Sequence, residues 1–214
     1  MTRRHVGRLV GGVLVAGALA APLRAEVIDR VLAIVGGQLV TLSDVHAALA
    51  VKLVDPAGTA DPIGAALSFL IDRRLIVAEV DRYAPPEPDD TALAQRTADL
   101  ASALPSDPAL RARLGVDPER VRGFARDELR TTAYLAQRFG AVQPTDDEVA
   151  RYHREHEADF TREGVRLPLA DVQDEIRRRL GSERRAALIA GWVADLRRRT
   201  DVNVLYLPGR AGRQ

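Results

Sequence analysis

The chain of 214 residues has no cysteine. That excludes disulfides, thiol catalysis, zinc–thiolate sites and a lipid carried on cysteine, so stability rests on the core alone. Aromatic residues are scarce, 4% of the chain against 29% charged. The interior must therefore be built from Leu, Val, Ile and Ala, which favours helices packed on helices. Lys52 is the only lysine, and arginine is the default cation. No Gly-x-Ser-x-Gly elbow surrounds Ser43, Ser68, Ser102, Ser106 or Ser182, and Gly36-Gly37 lacks the rest of a phosphate loop. Internal repeats and low-complexity tracts are also missing.

What is present begins with a three-part secretory pattern over residues 1–25. Arg3, Arg4 and Arg8 form a positive start, Leu9 to Ala21 is an apolar run, and Leu23-Arg24-Ala25 offers a small residue for cleavage between Ala25 and Glu26. The run falls short of the ~20 apolar residues that span a bilayer, so cleavage is preferred over an inner-membrane anchor. The expected location is the periplasm. Without Arg3, Arg4, Arg8 and Arg24, the 31 basic residues become 27 against 30 acidic ones, a net charge of −3. Such a chain offers no electrostatic footprint for nucleic acid.

Hydrophobic periodicity and punctuation predict a mainly α single core over residues 26–207, followed by a loose tail, 208–214. Val27 to Val35 and Gln38 to Thr41 read as strands joined at Gly36-Gly37, since a two-residue hairpin turn needs positive φ at both centres. Thr41 caps a short helix to about Leu53, with Asp44 completing a capping box. Asp61-Pro62 opens a helix to Tyr83 that is apolar nearly all round except for Ser68, Asp72 and Glu79, which marks it as the centre of the domain. Helices follow at Asp89 to Leu104, Asp107 to Leu114 and Asp117 to Phe139. The last has a stripe of Val121, Phe124, Ala125, Leu129, Thr132, Leu135, Ala136 and Phe139, with Tyr134 on the opposite, exposed side among Arg126, Asp127 and Arg130. A helix capped at Thr145, a loop from Thr161 to Pro168, a long helix from Leu169 to about Arg199 with a bend at Gly181-Ser182, and a strand from Asp201 to Leu207 complete the chain. A hairpin is marginal alone, so the N-terminal hairpin and the closing strand are expected to pair.

Candidate chemistry is thin. His153 and His156 share a helical face near Glu155 and Glu157, which can supply two metal ligands, but a third is missing and the stripe with Tyr152 and Phe160 favours structural histidines. Asp89-Asp90 and Asp146-Asp147 stand at helix starts, where carboxylates satisfy free N–H groups and oppose the dipole. Arg177-Arg178-Arg179, Arg184-Arg185 and Arg197-Arg198-Arg199 read as a solvated face, with an acidic partner as the competing reading. No metal or cofactor is expected.

Three segments carry a resemblance. Val27-Ile-Asp-Arg-Val-Leu-Ala-Ile-Val-Gly-Gly-Gln-Leu-Val-Thr resembles the opening strand-turn-strand of the SurA-like periplasmic chaperones. Thr145-Asp-Asp-Glu-Val-Ala-Arg-Tyr-His-Arg-Glu-His-Glu-Ala-Asp-Phe160 is similar to the helix that leads into that family's parvulin domain. Leu169-Ala-Asp-Val-Gln-Asp-Glu-Ile-Arg-Arg-Arg-Leu, Trp192-Val-Ala-Asp-Leu-Arg and Asp201-Val-Asn-Val resemble its closing helix and strand. The resemblance implies a helical SurA-type chaperone core, an ATP-independent holdase for unfolded or extended outer-membrane protein segments. A parvulin domain needs on the order of a hundred residues; the segment from Thr161 to Pro168 stands in its place, so no isomerase residue carries over. The competing functions are a peptidyl-prolyl isomerase despite the missing insert and an export-associated scaffold for one folded partner. Tyr134, Tyr152 and Trp192 are the candidate peptide contacts.

Overall fold

The computed structural model describes residues 29–162 and 164–208. The predicted signal segment 1–25, the expected Ala25/Glu26 cleavage junction and most of the predicted tail lie outside the described residues. Gly36 and Gly37, at φ 54° and 81°, make the tight turn between β1 (Val31–Val35) and β2 (Gln38–Thr41). Both residues of such a turn need the left-handed region, which glycine enters without a Cβ penalty. The closing strand β5 (Val202–Val204) pairs antiparallel with the other edge of β1, giving the order β2-β1-β5. The ends of the described chain thus meet in one sheet, as expected.

Thr41 ends β2 and caps α1 (Leu42–Ala50) through the reciprocal bonds with Asp44. This helix stops short of Leu53. Lys52 takes φ 53°, and the N–H groups of Lys52 and Leu53 donate to the carbonyls of Leu49 and Ala48, closing the helix end with a left-handed residue that is usually glycine. Asp61 caps α2 (Pro62–Tyr83), which packs against α1, α5 (Pro118–Phe139), α7 (Leu169–Arg199) and the sheet. Its central place is as predicted. Glu79, expected on the polar strip, is instead buried, where Arg82 and Arg199 reach its carboxylate.

Three apolar clusters organise the fold. The main one joins the inner sheet face (Leu32, Ala33, Val35, Val40) to α1, α2 and Leu196 of α7. A second lies under α3 (Asp90–Ser102) and α4 (Pro108–Arg113), where Leu93, Leu100 and Val116 meet Val121 and Ala125 of α5 and Ala47 and Val51 of the first-helix region. Only four buried residues form the third: Val149 of α6 (Asp146–Glu155), Phe160, and Val172 and Ile176 of α7.

The predicted loop after Phe160 contains structure. A 3₁₀ turn, Glu157–Phe160, leads into a two-stranded hairpin, β3 (Thr161–Arg162) and β4 (Val165–Arg166), and the Leu167 N–H donates back to the Phe160 carbonyl. The last helix keeps its helical hydrogen bonding through Gly181-Ser182, the place of the expected bend. α7 runs unbroken for 31 residues, about 46 Å at 1.5 Å per residue. Its first turns belong to the third cluster and its last turns to the main one. Between them Ser182, Glu183, Arg184, Ala186, Ala187 and Leu188 are all exposed. The closing strand is shorter than Asp201 to Leu207: Val202 and Tyr206 pack on the core, Val204 is 52% exposed, and the N–H groups of Leu205 and Tyr206 both donate to the Leu32 carbonyl.

Candidate functional site

Two of the three candidate contact residues come together, and one of them is not where the helical stripe placed it. Tyr134 is 6% exposed, not on an open face, and Arg130, one turn before it, is also buried. Residues four apart share a helix face, so α5 turns Val121, Ala125, Arg130 and Tyr134 inward while Thr132 and Ala136, assigned to the stripe, face solvent. Burial of Arg130 is sustained by Asp81 at the end of α2, 2.6 Å away, with Glu87 in the following loop at 3.6 Å. A buried guanidinium needs such partners.

Around Tyr134 an aromatic tract crosses the molecule. Its ring lies 5.6 Å from Tyr83 and 5.9 Å from Trp192, and Trp192 in turn lies 5.7 Å from Phe139. The pairs are tilted, the arrangement that ring quadrupoles favour over face-to-face stacking. Arg138 holds the tract from outside: its guanidinium sits 5.5 Å from Phe139 and 5.3 Å from Trp192, and it donates to the Tyr134 hydroxyl. Tyr83, at the last turn of α2, remains 60% exposed.

Each end of the tract opens into a concavity. Tyr83, Pro85, Pro86, Tyr134, Gln137 and Arg138 line a cleft of about 450 Å³. At the other end, Phe139, Val142 and Gln143 face the uncovered middle of α7, including Gly181, Arg185, Ala186 and Ile189, across a groove of about 700 Å³. Helix and linker approach closely here, and a Cβ on Gly181 would stand 3.7 Å from both Pro144 Cδ and the Val142 carbonyl oxygen.

Tyr152 is elsewhere, in the third cluster. It stacks on His156 at 3.9 Å, meets Phe160 edge-on and carries Arg179 over its ring. His153 is buried with Nε2 3.0 Å from the Leu167 carbonyl oxygen, and His156 Nδ1 is 3.0 Å from the Tyr152 carbonyl oxygen. The two histidines are thus spent on backbone and packing. Among the described residues no group of three or more His, Asp and Glu is placed to hold a metal ion.

Between α2 and α5 there is a pocket of about 170 Å³ lined by Val40, Leu70, Val77 and Phe124, with Arg73, Arg74 and Arg120 facing Asp44 and Asp127. Arg73 donates to the Phe124 carbonyl at 2.5 Å, and Arg120 to Asp44 at 2.8 Å. Burial depresses the Arg73 pKa and raises that of Asp127, the latter against the pull of Arg73, Arg74 and Arg126. Ion pairs line this small space, which makes it a charged seam rather than a peptide groove.

Tyr83, Phe139, Arg138 and Ile189 complete the tract and were not singled out from the sequence. Tyr83 carries a legible signal, an aromatic in the last turn of an apolar helix just before Pro85-Pro86. No protein-family model and no curated protein matches the chain. Among the described residues no helix is long and apolar enough to cross a membrane.

Proposed function

We propose that the protein is a SurA-like periplasmic chaperone core that holds unfolded or extended outer-membrane protein segments without ATP. The observation that carries this reading is the open groove along the uncovered middle of α7, at the mouth of which Phe139 ends an aromatic tract packed through Trp192 and buried Tyr134 to exposed Tyr83. A holdase needs apolar surface that stays open yet too dispersed to drive self-association. The other large exposed apolar side chains fit that requirement, being spread over β2 (Leu39), β5 and the residues after it (Val204, Leu205, Leu207), the small hairpin (Val165) and α7 (Leu188). An extended client laid in the groove meets one aromatic anchor, Phe139, with Val142 and Ile189 beside it.

Two further features favour holding over isomerisation. The segment where the resemblance places a parvulin domain is the small hairpin β3–β4, which packs back on Phe160 and leaves Val165 68% exposed. The conspicuous titratable side chains, His153 and His156, are tied to the backbone. Light scattering of an unfolded β-barrel client decides the matter. Several-fold excess of the protein is expected to suppress aggregation, and Phe139→Ala with Ile189→Ala, both groove-lining and outside the three core clusters, to weaken suppression at unchanged fold; no suppression by the unaltered protein refutes the proposal.

A further inference from the structure

Eight arginines lie along α7, and most are held by carboxylates. Arg177 pairs with Asp146 and Asp174, Arg179 with Asp159 and Glu183, Arg184 with Glu148, Arg197 with Asp72, Arg198 with Asp195, and Arg199 with Glu79. Arg178 and Arg185 alone among the eight have no carboxylate partner among the described residues, and both line the 700 Å³ groove. Its one acid, Asp174, already accepts from Arg177 at 3.0 Å. The apolar part of the lining is Phe139, Val142, Ala186 and Ile189. Two unneutralised cations in one groove that also carries apolar side chains, on a helix whose other cations are neutralised in place, call for an anionic occupant.

We infer that this groove selects extended polypeptide segments that carry carboxylates between apolar residues. The inference rests on the holdase reading and names what the groove prefers. Arg178 and Arg185 are seven residues apart, two helical turns, so they share a face about 10.5 Å apart. At about 3.3 Å per residue, acidic residues three to four apart in an extended client match that spacing, and the apolar residues between them rest on Phe139, Val142 and Ile189. Charge argues against self-occupancy, since the segments flanking the described residues carry Arg3, Arg4, Arg8 and Arg24 at one end and Arg210 and Arg213 at the other, with Glu26 the one acid among them.

Fluorescence anisotropy on the purified protein tests this with two labelled ten-residue peptides of the same leucine–serine pattern, one with two aspartates four residues apart and one with asparagines in their place. The aspartate peptide is expected to bind about 3- to 10-fold more tightly at low salt, as two partly exposed ion pairs allow. That advantage should shrink at ~0.5 M salt and vanish in R178Q/R185Q, with binding of the asparagine peptide unchanged. Equal binding of the two peptides, or an advantage that survives R178Q/R185Q, overturns the inference. Equal binding together with suppressed client aggregation leaves the holdase reading standing; absence of both removes that reading too. Arg178- and Arg185-dependent binding of phosphatidylglycerol vesicles without peptide binding, or a dimer in sedimentation that R178Q/R185Q abolishes, overturns the inference in favour of a lipid or a second copy.

Discussion

Replacing Ile176 by alanine should open one lobe of the protein and leave the rest closed. Ile176 is fully buried, and the cluster it belongs to has only Val149, Phe160 and Val172 as its other buried members. Truncating a buried isoleucine to alanine costs about 2–5 kcal/mol, depending on how far the site can collapse around the lost atoms. With Tyr152, Leu167, Leu169 and Leu180 already packed around so few residues, little is left to fill the space. At 1.4 kcal/mol per tenfold, the opening equilibrium of the lobe rises roughly 30-fold to several-thousand-fold. Native-state hydrogen exchange reads this directly. Amides of α6 and of the first half of α7 should lose protection by that factor, while those of α2 and β1, which depend on the main cluster, should hold theirs. Loss of protection by one factor throughout would refute the reasoning, because the three clusters would then open as a unit. So would no change in α6, because the lobe would not depend on Ile176.

Other consequences follow from the same structure. Gly115 sits at φ 67°, and a Cβ there would lie 2.7 Å from the Ser43 Cβ, whereas Gly37, at φ 81°, has nothing within 4 Å. Both alanine substitutions meet the left-handed penalty of about 1–2 kcal/mol, but only Gly115→Ala adds the clash; thermal melting should fall further for it, and equal melting temperatures would contradict the close approach. Glu148 has its pKa lowered from 4.5 to about 2, chiefly by the Arg184 hydrogen bond and then by the Thr145 N–H. Because the folded-state pKa is the depressed one, the stabilisation is complete above the ordinary carboxylate range and is lost as pH falls from about 4.5 through 2. Protection of α6 amides should therefore decline over that window, and Glu148→Gln should flatten the decline; an equally steep variant would show that another group controls it. Tyr206 donates to Asp61 at 2.7 Å, tying the end of the described chain to the cap of α2. Tyr206→Phe should cost about 1 kcal/mol in denaturant unfolding, and a neutral effect would mean that water replaces the bond.

The fold was legible where local chemistry decides it. Gly36-Gly37, the Thr41/Asp44 capping box, the Thr145 cap and the helix starts at Asp61, Asp107 and Asp117 each act within four residues, and each helix begins where they place it. Pairing of the hairpin with the closing strand was also readable, since neither has another partner. The face of α5 was not. Arg130 looks like a surface residue until Asp81 and Glu87 arrive from α2 and its loop, and Tyr134 follows it inward to meet Tyr83 and Trp192. Glu79 escaped for the same reason, because Arg199 reaches it from 120 residues away. Of the candidate contacts, Trp192 and Tyr134 belong to one tract because α7 and α5 meet there, while Tyr152, on a similar amphipathic helix, was drawn into a separate small core. Periodicity reveals that a helix has a buried face, but which long-range partner rescues a charged side chain on that face is a property of the assembled fold.

Site-specific crosslinking tests the central claim most directly. A photoreactive side chain at Ile189, in the groove, should capture an unfolded outer-membrane β-barrel client in yield that falls when unlabelled client is added. The same group at Ala98, on the exposed face of α3, should not capture it. Equal capture at the two positions, or capture at Ala98 alone, would contradict the assignment of the α7 groove as the surface that holds clients.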